Sequence, residues 1–344
     1  QAKVEDGDVD AGVGGLLKYI IDLAETKRLV KTHPPENIAA AGFLNQLDAR
    51  RKDERPWQGL DAGFHHLNEV LNGLTEGVFV LSGAPSTGKT TLAKQIADQV
   101  AKNEEVPVLF FSFEQSAEEL RIKSLARLSM VNSRYIWKGR ADDATWSEVK
   151  KADEKYRRDS GPYLTIIEAD RTDTVEKIRT VAMLAKHRAG GKRPVLVIID
   201  YLQIIPPPPG VRLDGIKDRV DWNLSELRRL SRDLKSPVLV VSSENREAYK
   251  KVGKDSPPAL AALKESGGIE YSADAVIMLR RNKTDTDNMK GKHTFDAIRV
   301  EANVTKNRNG ELAKILMDFT PALATFADVD KEALDWFDVT GGTK

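Results

Sequence analysis

The chain has 344 residues, 40% of them hydrophobic and 31% charged, the balance of an ordinary soluble globular protein. No apolar run approaches the roughly 20 residues that span a bilayer. The first ten residues have no basic segment to open a secretory signal, and the absence of cysteine excludes disulfides, thiol nucleophiles and zinc ribbons. A formal net charge of +1, from 53 basic and 52 acidic residues, argues against wrapping nucleic acid over the whole surface. It leaves room for a local basic track, because counterion release depends only on the charges that touch phosphate. With no mark of an oxidising compartment, the cytoplasm is the default setting. The chain opens on Gln rather than Met, so a fragment of a longer polypeptide is one reading.

In chain order, residues 14–31 set Leu16, Leu17, Ile20, Ile21 and Ala24 at helical spacing, which predicts a short amphipathic helix. A second helix is predicted over about 36–50, after the breaker Pro34-Pro35. Residues 50–56 (RRKDERP) are charged and end in proline, so they read as a linker. This divides a helical segment, residues 1–56, from a main domain, residues 57–344. The front segment is too short to bury its own apolar stripes and needs a partner surface, on the main domain or on a neighbouring subunit.

From Trp57 the pattern changes. Gly77-VFVLSG, Val106-PVLFFSFE, Tyr163-LTIIE, Arg193-PVLVIIDY, Ser236-PVLVVSS and Ala273-DAVIMLR are apolar runs bounded by turns. Helical stretches at about 91–103, 116–130, 174–189 and 219–235 separate most of them. Continuous Val/Ile/Leu runs alternating with helices predict an α/β fold, its mostly parallel sheet covered on both faces. Over 293–319, polar and apolar residues alternate around Asn309-Gly310, the signal of a β-hairpin.

Gly83-Ala84-Pro85-Ser86-Thr87-Gly88-Lys89-Thr90, followed by Thr91, fits the P-loop pattern at every position. It lies between a buried strand and a helix start, the context the motif requires. Such a loop aims backbone N–H groups at phosphate oxygens, with glycine where a Cβ would collide, and the helix adds its positive end. Lys89 is then placed to reach the β and γ phosphates of ATP, and Thr90 to ligate Mg²⁺. Asp200 closes the run VLVIID at the position of a Walker B acid, a Mg²⁺ ligand directly or through water. Glu114 ends LFFSFE, where it could polarise an attacking water as a general base. The plainer alternative is an acid capping the helix that begins SAEEL.

These stretches resemble the helicase domain of the DnaB family and, more distantly, Twinkle-type helicases. GLDAGFHHLN, GAPSTGKTT, FSFEQSAEEL, VIIDYLQ, SPVLVVSSENRE, LKESGGIEYSADAVIMLRR and TKNRNG occur in this order over about residues 59–319. The P-loop by itself is generic; FSFE-x-SAEEL joined to DYLQ and ESGGIE-x-x-AD is specific. The resemblance implies a RecA-like P-loop NTPase, a mostly parallel central sheet flanked by helices, with a short helical N-terminal linker. It implies an ATP-dependent DNA helicase motor that moves on single-stranded DNA in replication. The motor would be a ring-shaped homo-oligomer, a hexamer by the family's pattern, with ATP and Mg²⁺ as cofactors and primase or other replication proteins as partners. Lys89 and Thr90 would bind nucleotide and magnesium, Glu114 would be the catalytic carboxylate, and Asp200 the Walker B acid. Lys306 and Arg308 match lysine and arginine fingers that enter the next subunit's ATP site, where a cation in trans offsets charge developing on the γ-phosphoryl. A basic hairpin tip that keeps an edge strand soluble is the structural alternative.

Two departures stand out. Ser243 lies where the family has a γ-phosphate-sensing glutamine, and Glu244 follows where an apolar residue is usual. Serine reaches phosphate only through water, which bears on the coupling of hydrolysis to movement rather than on binding. The family's helical amino-terminal collar has no counterpart, and the helices before Arg50 resemble, by position, the linker helix that docks on an adjacent subunit.

In DnaB-like rings single-stranded DNA passes loops that follow the motor strands. The matching segments are 206–219, with PPPPG, Arg212, Lys217 and Arg219, and 257–268, with Lys264, Glu265, Ser266, Gly267 and Gly268. Basic side chains and backbone amides suit phosphate contact without base reading, and proline stiffens a projecting loop. The first loop reads equally as an inert surface excursion. Two other functions stay open on the same fold: a RecA-type recombination or clock-like regulatory ATPase, and a nucleotide-binding loader or assembly subunit with little turnover.

Overall fold

The computed structural model describes residues 36–53, 55–243, 272–281 and 297–329, and the chain divides into two compact units, Gln1–Arg55 and Pro56–Lys344. In the first unit, α1 (Glu36–Arg51) leaves Phe43, Leu44 and Leu47 exposed. Glu36 in its first turn and Arg50 and Arg51 in its last suit the helix dipole, so the helix runs on into the segment predicted as linker. The helix predicted over 14–31 lies outside the described residues.

In the second unit the six apolar runs become β1 (Gly77–Gly83), β2 (Val108–Ser112), β3 (Leu164–Glu168), β4 (Leu196–Asp200), β5 (Pro237–Val241) and β6 (Ala275–Arg281). They pair in parallel in the order β3-β2-β4-β5-β1-β6. Three antiparallel strands, β7 (Ile298–Asn307), β8 (Ala313–Thr320) and β9 (Thr325–Asp328), extend the same sheet to nine strands. The predicted hairpin is β7–β8. At its tip a Cβ on Gly310 would come within 2.6 Å of the Asn307 amide and 2.9 Å of the Val70 carbonyl, so the turn requires glycine.

The helices of this unit are α2 (His65–Leu71), α3 (Lys89–Glu104), α4 (Ala117–Ser129), α5 (Ser133–Lys138), α6 (Asp143–Asp159), α7 (Val175–Arg188) and α8 (Gly215–Leu234). Ser116 opens α4 through a reciprocal capping box with Glu119, and Asn132, Asp142 and Thr174 cap α5, α6 and α7. Successive strand residues point into two cores. Phe79, Leu81, Phe110, Ile198 and Leu239 pack with Leu92, Ile96 and Val100 of α3. Val78, Val80, Phe111, Val197 and Val240 pack with Ile178 of α7 and Leu224, Leu227 and Leu230 of α8. Burial on both faces explains why these runs are continuous rather than alternating. Among the described residues no helix is long and apolar enough to cross a membrane.

One polar network lies inside the first core's rim. Lys94 of α3 is fully buried, donates to Asp98 and to Ser124 of α4, and sits 5.2 Å from the ring centre of Tyr156 on α6. Ser124 Oγ donates to Asp98 at 2.6 Å, and Arg127 pairs with the same carboxylate. Burial depresses the Lys94 ammonium to about 8, against the attraction of Asp98. Removing Asp98 leaves two cations without their counter-charge, so Asp98→Asn is expected to cost about 3–5 kcal/mol, read as a lower urea midpoint. The pH dependence has a fixed sign. The folded value of about 8 lies below the ordinary 10.5, so between them the unfolded chain binds more protons at this position and stability rises with pH. Lys94→Met should abolish that rise in urea titrations repeated across the window.

Candidate functional site

Parallel strands send their carboxyl ends to one edge of the sheet. The register sets Ser112, Asp200, Val241, Leu81 and Ile277 in a single row across β2, β4, β5, β1 and β6. Gly83 therefore leaves β1 two residues beyond the level of Asp200. Above Asp200 the chain of β2 folds over, with Phe113 N–H donating to the Asp200 carbonyl at 2.7 Å, and Glu114 follows, exposed at the same edge.

The P-loop joins β1 to α3. Ser86 and Gly88 adopt φ of 64° and 99°, in the left-handed region. A Cβ on Gly83 would lie 2.6 Å from the Leu279 carbonyl, and one on Gly88 would lie 2.7 Å from the Phe326 ring, which stacks on Phe319. Both glycines are thus required by what surrounds them. Thr87 Oγ1 donates to the Ala84 carbonyl at 2.9 Å. The Lys89 ammonium donates to the carbonyls of Gly83 and Ala84 at 2.7 and 2.9 Å, which holds it in the mouth of the loop. Pro85 and Ser86 form the exposed crest, and Thr91 is buried beneath.

Asp200 is 1% exposed, and its Oδ2 has no hydrogen-bond partner. Burial raises its carboxyl to about 6; hydrogen bonding from Thr90 opposes this, Glu114 pushes the same way, and Lys89 and Lys123 lower it. A buried carboxylate oxygen without a partner, facing a threonine hydroxyl, fits a hard divalent cation. Among the described residues no group of three His, Cys, Asp or Glu side chains could hold a metal alone, so phosphate and water would complete the shell.

Glu114 is not the helix cap, because Ser116 and Glu119 satisfy that terminus. Two cations at this edge escaped the sequence reading. Lys123 of α4 is lowered by burial while Glu119 and Asp200 favour its charge, and Arg281, at the exit of β6, donates to the Ser86 carbonyl on the loop crest. The consecutive arginines closing DAVIMLRR were the signal for the second. A cavity of about 330 Å³ opens beside Thr91, lined in part by Gln115, Glu119, Ile122, Trp137 and Pro321.

Lys306 and Arg308 are not at this edge. Lys306 pairs with Val276 and Asn307 with Ala275, at the amino end of β6, and β7 lies between β6 and β8. Since β7 is interior, protection of a sheet edge does not account for these cations. Arg212 and Lys217 are both exposed, in the loop before α8 and in its first turn. Lys264, Glu265 and Gly267 lie outside the described residues. Ser243 is exposed; its carbonyl accepts from Gln203 at 3.1 Å, as does the Ser242 hydroxyl at 2.9 Å.

Residues 59–328 match the model of the DnaB-like helicase C terminal domain, and the chain belongs to that family. It is 29% identical over 307 residues to the replicative DNA helicase DnaB of Leifsonia xyli subsp. xyli (strain CTCB07), a match covering 87% of this chain and 62% of that protein. The chain thus spans about six-tenths of the length of that curated relative. A solved ATPase domain superposes with a TM-score of 0.73 at 22% identity, covering 85% of this chain and 98% of the other. A DnaB-like replicative helicase, solved in a study of its interactions with primase, gives 0.72 at 20% identity over 90% and 71%. The fold is RecA-like α/β. Lys89→Ala should abolish binding of a fluorescent ATP analogue, because the loop loses its positioned cation; unaltered affinity in an anisotropy titration would exclude Lys89 from the phosphate site.

Proposed function

We propose that this chain is the ATP-hydrolysing motor of a replicative DNA helicase, working as a ring of identical copies on single-stranded DNA. The observation that carries the reading is the division of its charged groups between two edges of one sheet. The P-loop, Asp200 and Glu114 stand at the carboxyl edge. Arg308 is tied to Asp274, which lies five residues before Leu279, the partner of Gly83. At about 3.3 Å per residue that is roughly 16 Å of strand. That separation from the chain's own phosphate loop supports a role for Arg308 at a site on another copy.

In this reading the loop N–H groups and Lys89 bind the ATP phosphates, and the cavity beside Thr91 takes ribose and base against Ile122, Trp137 and Pro321. Thr90 and Asp200 would hold Mg²⁺, which would supply positive charge to offset that of the phosphates. Glu114 orients a water and accepts its proton as the oxygen attacks the γ-phosphorus and the bond to ADP breaks. Arg308 and Lys306 of the adjoining copy offset the charge on the departing phosphoryl group. Phosphate contacts with DNA are assigned to the cationic side chains of Arg212, Lys217 and Lys264 and to the backbone amides of Glu265 and Gly267, and primase is the partner proposed for the whole protein, by likeness to the solved relative. A regulatory ATPase or loader with little turnover is the second reading, favoured by Ser243 at the position of the sensing glutamine.

Glu114→Gln should keep nucleotide binding and lose turnover by about 10²–10⁴, with single-stranded DNA stimulating only the wild type. Near-normal turnover in the variant removes Glu114 from catalysis, and unstimulated wild type favours the second reading. Binding to mixed-sequence oligonucleotides should weaken with salt at a slope of about 0.7 per phosphate neutralised. Lys264→Ala should make that slope shallower for all sequences alike. If the wild type binds none of them in the presence of a non-hydrolysable ATP analogue, the motor reading is lost.

A further inference from the structure

We infer that Asp274 is a positioning residue for the arginine finger: it sets the direction in which Arg308 is presented to the adjoining copy's ATP site. The inference rests on the trans reading of Arg308 above. Asp274 immediately precedes β6, and four contacts fix it. Its N–H donates to the Val78 carbonyl at 2.8 Å, and its Oδ2 accepts from Val78 N–H at 2.9 Å. Its carbonyl accepts from Arg308 N–H at 2.8 Å, and its Oδ1 lies 3.1 Å from Arg308 Nη1. Gly77 leaves room for this carboxylate, since a Cβ there would come within 3.1 Å of Oδ2.

The two oxygens have different tasks. Oδ2 is anchored to the backbone of β1, the strand that carries the P-loop, so the carboxylate cannot swing. Oδ1 then offers a fixed acceptor to Arg308, whose backbone is already pinned to the same residue. Arg308 remains 46% exposed while Asp274 is 16% exposed. A guanidinium has five N–H donors in a rigid fork, so contact through Nη1 leaves other donors to face a phosphoryl oxygen. Arg228 of α8 also approaches Oδ1, at 3.5 Å. The negative charge is thus shared between two cations, which directs Arg308 without neutralising it privately.

The test compares wild type, Arg308→Ala, Asp274→Asn and the double variant, each alone and mixed with Lys89→Ala chains. Each is assayed for binding of a fluorescent ATP analogue and for steady-state hydrolysis. Asp274→Asn should bind the analogue with KM for ATP unchanged, and kcat should fall about 10–100-fold, as for a misplaced catalytic group. The double variant should be no slower than Arg308→Ala. Mixing Asp274→Asn with Lys89→Ala should restore turnover, because intact pockets then meet intact fingers; Asp274→Glu, which keeps the charge, should recover part of the lost kcat. Full turnover in Asp274→Asn beside lost turnover in Arg308→Ala overturns the inference, as does a defect that mixing leaves unrelieved. If Asp274→Asn loses analogue binding, Asp274→Glu decides: retained binding with lowered, mixing-relieved kcat supports the role, and lost binding refutes it. Full turnover in Arg308→Ala is a separate result that removes the trans-finger reading itself.

Discussion

Parallel pairing of β2, β4, β5, β1 and β6 is the constraint on which the rest depends. Each strand can be parallel to its neighbour only if the chain crosses back between them, and α3, α4, α7 and α8 do this on the two faces. The strands are therefore buried on both sides, and their only polar outlets are their ends. Every carboxyl end opens at the same edge, so residues distant in sequence, Gly83, Glu114, Asp200 and Arg281, become neighbours. The chemistry is a consequence of strand direction before it is a consequence of any side chain.

Burial gives that edge its electrostatic character. Asp200 closes a strand of five fully buried residues, and its carboxylate is held where ionisation is costly. The Thr90 hydroxyl and the ammonium groups of Lys89 and Lys123 offset part of this, and one oxygen remains without a partner. Such a group binds a cation more strongly than a solvated carboxylate would, because the ion replaces a missing interaction rather than displacing water. The P-loop is held with comparable care. Gly88 rests on the stacked Phe319–Phe326 pair, and Gln95 of α3 exchanges two 2.8 Å hydrogen bonds with the Phe326 backbone. The antiparallel strands β8 and β9 thus brace the phosphate loop of a sheet to which they look like an appendage.

Much of this was legible in the sequence, for physical reasons that differ by residue. The P-loop is a local backbone motif, so its spacing is its structure. Asp200 was legible because an acid ending an all-apolar run has few explanations, and the Asn309-Gly310 hairpin because turn chemistry is local. What resisted was anything that depends on strand order. Arg281 meets Ser86 only because β6 lies beside β1, and Asp274 meets Arg308 only because β7 returns antiparallel along β6. The competing readings of Glu114 and of the hairpin cations also needed three dimensions, since they turned on which residue caps α4 and on whether β7 is an edge. α5 escaped because a six-residue helix has too few turns to display a period, whereas α6 was passed over although Val149, Ala152 and Tyr156 stand at helical spacing in it.

β6 reaches both the P-loop end of the sheet and the end where Arg308 lies. At its carboxyl end Arg281 grips the crest of the chain's own phosphate loop; at its amino end Asp274 holds the arginine assigned to another copy's site. α8 reaches the same aspartate through Arg228, follows the loop that carries Arg212 and holds Lys217 in its first turn. Strands and helices of this length are stiff, so a displacement at one end arrives at the other largely undiminished, whereas loops would absorb it. In this fold β6, buried on both faces over most of its length, joins the phosphate loop at one end to the residue that holds Arg308 at the other.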